Sequence, residues 1–93
     1  MRDEIKKAIE EVVREQLAGA KIVDVQVVED TDCDGEGIYR VMVIYAGEKL
    51  DTEKTASLVR YTRSRLRERD SYEFPIFRFI SQSDLKRLRA AAA

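Results

Sequence analysis

The chain contains no histidine and one cysteine, Cys33, among its 93 residues, and these two shortages remove much of the chemistry open to a small domain. Histidine is the side chain whose ordinary pKa lies nearest neutrality, and its absence removes the usual partner that would activate the Cys33 thiol. Cys33 sits between Asp32 and Asp34, whose negative charge disfavours the thiolate. A single cysteine cannot close an internal disulfide, and with no histidine beside it the ligands for a tetrahedral zinc site are missing. No apolar run approaches the roughly 20 residues that span a bilayer. The opening MRDEIKK starts an amphipathic helix rather than the apolar core of a signal peptide. The expectation is a cytoplasmic protein with no membrane partner. There is also no glycine-rich phosphate loop and no nucleophile motif, and nothing singles out a catalytic pair among the Asp and Glu residues. No enzyme, no cofactor, no metal and no small-molecule substrate is expected.

What is present is a foldable, heavily charged domain. The chain is 44% hydrophobic and 38% charged, enough for one modest core and against disorder. Net charge is −1, but residues 1–50 hold seven Lys/Arg against twelve Asp/Glu, and residues 51–93 hold ten against six. The chain is thus an acidic half followed by a basic half, which matters more for association than the total.

Hydrophobic periodicity sets the elements. Ile5, Ile9, Val12, Val13 and Leu17 recur at helical spacing and predict a helix from about Arg2 to Leu17, ended by Gly19 in a left-handed cap. Lys21–Glu29 alternates as a strand, with Val23, Val25 and Val27 on one side and Ile22, Asp24, Gln26 and Val28 on the other. Turn formers follow from Asp30 to Gly37, then a second strand over Ile38–Ala46 that is apolar on both faces. A turn at Ala46-Gly47-Glu48 leads to a long helix within Asp51–Asp70, with Asp51 or Thr52 as its N-cap. Its core stripe is Thr55, Leu58, Val59, Thr62 and Leu66, with Arg60, Arg63 and Arg67 nearly opposite. Tyr72–Ile80 is a third strand, and Pro75 marks it as an edge because proline cannot donate a ladder hydrogen bond. Ser81 or Ser83 caps a short helix over Asp84 to about Arg89, and Ala90–Ala93 extends it or frays.

The order is α-β-β-α-β-α, an α+β domain spanning residues 1–93, with the two main helices on one face of a three-stranded sheet. The crossover helix makes strands two and three parallel and leaves a place for strand three beside strand one. The other face, bearing Ile22, Val28, Met42 and Ile44, is expected to be partly open, an apolar patch of the interaction type.

Two local patterns resemble sites. Asp30, Asp32, Asp34 and Gly35 have the spacing of the first half of a calcium-binding EF-hand loop, but Val41 stands where the closing glutamate belongs, and hairpins favour Asp and Gly for turn geometry alone. The row Arg60, Arg63, Arg67, flanked by Lys54, Arg65 and Arg69 and next to Tyr61, has the chemistry of a phosphate-contacting surface. A pI of about 5.5 and the interspersed Glu53, Glu68 and Asp70 weigh toward an ordinary solvated or protein-contacting face.

The α-β-β-α-β order, closed by Phe74-Pro75-Ile76-Phe77-Arg78-Phe79-Ile80, resembles type II KH-like domains, in particular the ribosome-binding factor A family, across most of the chain. That resemblance implies an RNA-binding role. KH domains clamp the nucleic-acid backbone with a GxxG loop between helices; TASLVRYTRSRL contains neither that loop nor the small-residue kink of the ribosome-binding factor A family. The loop DTDCDGEG and the ending FPIFRFISQSDL also resemble small bacterial proteins, a likeness that implies no function. The leading expectation is a bacterial interaction module that binds a protein partner or a second copy of itself through the open sheet face and its segregated charges. The alternative is an RNA-binding module using Arg60, Arg63 and Arg67.

Overall fold

A computed structural model describes residues 3–47 and 50–92. The expected helix start at Arg2, Glu48 of the turn and Ala93 lie outside them. The elements are α1 (Asp3–Gln16), β1 (Lys21–Thr31), β2 (Gly37–Ala46), α2 (Thr52–Arg67), β3 (Phe74–Ser81) and α3 (Gln82–Ala92).

Each helix has a local cause. In α1, Asp3 and Glu4 lie in the first turn and Arg14 in the last, matching the helix dipole, and Ile5, Ala8, Ile9, Val12 and Val13 form the buried stripe. Gly19 does not take the expected left-handed conformation; instead the chain closes through an N–H of Ala20 to the carbonyl of Leu17 at 2.9 Å. Asp51 caps α2, its Oδ1 accepting the N–H of Glu53 at 2.9 Å and of Lys54 at 3.2 Å. Thr52, the other cap candidate, is already helical. The helix ends three residues before Asp70, which turns the chain at φ 57°, a conformation Asp tolerates better than most residues. Ser81 caps α3, its Oγ accepting the N–H of Asp84 at 3.1 Å.

The sheet order is β1-β2-β3. β2 runs antiparallel to β1 and parallel to β3, so the predicted parallel pair is present, but β3 does not lie beside β1. The reason is compositional: β2 is apolar on both faces and takes the centre, where both faces are covered most, while β1 carries Asp24, Gln26, Glu29 and Asp30 and takes an edge. Pro75 accordingly lies on an edge strand.

One face of the sheet, formed by Val25 and Val27, Tyr39, Val41 and Val43, and Phe77 and Phe79, packs against Ile9, Val12 and Val13 of α1 and Leu58 and Leu66 of α2. The rings of Phe77 and Phe79 stack with centroids 6.1 Å apart. Leu58 is fully buried, and cutting it to alanine costs about 2–5 kcal/mol through lost transfer energy and the cavity left behind. On the other face α3 rests against β2 and β3 at the end holding Ile44 and Ile80, both buried.

Candidate functional site

The uncovered part of the sheet follows from strand register. Gln26, Met42 and Arg78 form one row across β1, β2 and β3, and Val28, Arg40 and Ile76 form the next. Val28 is 58% exposed and Ile76 40%, and with Met42 they border a shallow depression of about 500 Å³. Arg40 reaches sideways to Asp30 with Nε 2.6 Å from Oδ2, and this hydrogen bond holds the Asp30 carboxyl below its ordinary pKa. Arg78 has no ionic partner among the described residues.

Two of the expected face residues are not part of the open surface. A bulge between Ile22 and Asp24 inserts Val23 as an unpaired residue, which reverses the alternation before it. Ile22 therefore pairs with Tyr45 on the helix-covered face and packs against the core. Ile44 does lie on the predicted face, but it is only 4% exposed, at the end against which α3 packs. Val28 and Met42 remain on the open face, joined by Ile76 and the arginines, which alternation about Pro75 signals but only register brings together.

The arginine row on α2 borders the free edge of β3 instead of pointing away from the sheet. Arg60, Arg63 and Arg67, with Ala56, Val59 and Phe74, line a depression of about 390 Å³. The Arg63 guanidinium lies 5.1 Å from the centroid of the Phe74 ring, and Arg60 lies 5.1 Å from that of Tyr61, both within cation–π range. Arg65 is not part of this surface: it turns to α1 and pairs with Glu15 at 3.0 Å and Glu11 at 3.5 Å. α1 packs on β1 and α2 on β3, so the acidic and basic halves of the sequence end at opposite edges of the sheet.

A smaller hollow beside Arg63 and Arg67 is floored by Ser71 and Glu73. Ser71 Oγ donates to Glu73 Oε2 at 2.7 Å, and the Tyr39 hydroxyl lies 3.0 Å from Ser71 Oγ and 3.3 Å from Glu73 Oε2. The Ser71 hydrogen bond leads the causes that hold the Glu73 pKa below its ordinary value. Burial raises that of Tyr39, against the opposing bond to Ser71. These groups satisfy one another and tie the α2–β3 loop to the sheet.

In the hairpin, the carboxylates serve the turn. Asp32 Oδ1 accepts the N–H groups of Asp34 and Glu36 at 2.9 Å each, and Gly35 supplies φ 82°. Among the described residues no group of three or more His, Cys, Asp or Glu side chains is placed to hold a metal ion. Cys33 is exposed, and no described helix is long and apolar enough to cross a membrane. Comparison with protein-family models, curated proteins and solved structures gives no match to this chain.

Proposed function

We propose that this chain is a small non-enzymatic interaction module that receives a protein partner on the uncovered part of its sheet and the adjoining basic edge. The observation that carries this reading is the apolar strip of exposed Val28 and Ile76 with half-buried Met42 between them, beside Arg78 and adjoining, through Phe74, the arginine-lined edge of β3. Such a patch, with apolar groups around the paired Arg40 and beside Arg78, has the mixed polarity of a transient interface. The free guanidinium of Arg78 and the row on α2 favour an acidic partner over a basic one. A second copy bound through the same face is disfavoured, because it would set Arg40 and Arg78 near their own equivalents in many of the possible pairings.

The test is capture from extract in parallel by the wild type, Ile76→Asp and Cys33→Ser, each first shown to be folded by circular dichroism. A specific acidic partner retained by the wild type and Cys33→Ser and lost by Ile76→Asp supports the reading. A protein retained equally by all three counts against it.

A second reading rests on a separate observation. Tyr61 and Phe74, both exposed, stand in cation–π contact with Arg60 and Arg63, an arrangement on which single-stranded bases stack while guanidiniums meet phosphates. Under it, an RNA pool binds at low salt with a steep loss of affinity as salt rises, and the double change Arg60→Glu, Arg63→Glu abolishes binding.

A further inference from the structure

We infer that the free edge of β3 is a receptor for an extended segment of a partner protein that alternates acidic and apolar residues and adds to the sheet as a fourth strand. This rests on the protein-interaction reading above and specifies its mode.

Three observations converge on this edge. First, among the described residues β3 pairs only with β2, and its register runs without interruption from Phe74 opposite Ile38 to Ser81 opposite Tyr45. Beyond Pro75 at its start and the single charge of Arg78, β3 carries neither a bulge nor a lysine. The opposite edge is guarded, since β1 is broken by the bulge at Val23 and lined with Asp24, Glu29 and Asp30. Second, the two sides of the β3 edge differ in chemistry. Toward the helices it is flanked by Arg60, Arg63 and Arg67 around a depression floored by Ala56 and Val59. Toward the open face it is flanked by Phe74, Ile76 and Arg78, with Ile76 adjoining Met42 and Val28. Third, Arg60, Arg63 and Arg67 form no ion pair among the described residues, and the carboxylate in the adjoining hollow, Glu73, has its hydrogen bonds to Ser71 and Tyr39 instead.

An added strand presents alternate side chains to these two sides, because the side-chain period of a strand is two. Acidic residues at every second position meet the arginine row, and apolar residues between them extend the strip of Val28, Met42 and Ile76 by one strand. Main-chain hydrogen bonds to β3 supply affinity in common, and the alternation supplies selection.

The test uses the intact chain and a fluorescent peptide of about seven residues alternating glutamate and valine. Its controls are a peptide of equal composition with the glutamates in one block, and the alternating peptide N-methylated at every second amide. The expected result is that the alternating peptide binds about tenfold or more tightly than either control. Amide exchange is then slowed in β3, and Arg60→Glu, Arg63→Glu weakens binding by a similar factor. Equal binding of the alternating and block peptides overturns the inference, since charge alone then suffices. So does protection confined to α2, or displacement of the peptide by a tighter-binding single-stranded oligonucleotide, which assigns the groove to nucleic acid. N-methylation acts on the peptide and cannot disturb the fold, so the outcome does not depend on a variant remaining stable. If the peptide fails while Ile76→Asp still abolishes partner capture, strand addition falls and the interaction reading stands; if Ile76→Asp also has no effect on capture, both fall.

Discussion

Arg63 of α2 holds its guanidinium 5.1 Å from the centre of the Phe74 ring, joining the long helix to the first residue of the edge strand. Phe74 belongs by alternation to the open face with Ile76 and Arg78, yet it lines the same depression as Ala56 and Val59 of α2. The contact links the apolar strip and the arginine row into one surface. A double-mutant cycle with Arg63→Ala and Phe74→Ala, followed by urea denaturation, is expected to return a coupling of about 0.5–1 kcal/mol, the range of an exposed cation–π pair. A coupling of zero would remove the link.

Thr62 sits on the core stripe of α2, fully buried, and its Oγ1 has no hydrogen-bond partner. An unsatisfied buried hydroxyl costs about 1–3 kcal/mol. Thr62→Val keeps the β-branched shape and removes the polar atom, so it is expected to stabilise the domain by about 1 kcal/mol. The midpoint of urea denaturation should move up with an unchanged slope; a lower midpoint contradicts the assignment.

Glu73 is held below its ordinary pKa chiefly by the hydrogen bond from Ser71. A carboxylate depressed in the fold contributes stability that is present above its unfolded pKa, near the ordinary value of 4.5, and lost as pH falls through the folded one. Glu73→Gln is therefore expected to lower stability at neutral pH and to flatten the acid limb of the stability curve below about pH 4.5. Parallel denaturation series for wild type and variant over that window check both.

The hairpin carboxylates hold the turn, with Asp32 bound to the N–H groups of its own loop and Asp30 to Arg40. Titration with millimolar calcium is expected to give no binding heat. By contrast Gly35→Ala, at φ 82°, is expected to cost about 1 kcal/mol because alanine enters the left-handed region poorly. Heat on calcium addition that vanishes in Asp32→Asn would reverse this reading of the loop.

Opposite edge charges also make a prediction about self-association. Head-to-tail contact of the acidic β1 edge with the basic β3 edge would build open chains of molecules, and the bulge at Val23 interrupts the strand that would have to pair. Sedimentation at low and high salt is expected to show a monomer in both; a salt-sensitive rise in mass with concentration would show that the bulge is no barrier.

The element order and the core stripes of α1 and α2 are legible in the residues because period and capping are local properties. Asp51 as cap, Pro75 as edge marker and the parallel relation of β2 and β3 belong to the same class. The positions that the sequence misplaces are those where one local irregularity or one distant neighbour decides. Ile22 alternates correctly with Val28 on paper, but a single inserted residue at Val23 turns it to the other face. Ile44 reads as open-face, and its burial depends on a helix that begins only after Ser81.

Residue pattern is enough to establish an α+β domain with an acidic half and a basic half, lacking the histidine and paired cysteines on which much catalytic and zinc chemistry relies. Tertiary structure alone decided that β2 is central, and hence that the free edge belongs to β3 beside Arg60, Arg63 and Arg67. Periodicity fixes which face of an element is apolar, but strand order depends on the competition among strands for the doubly covered position, and that is settled only when all of them pack together.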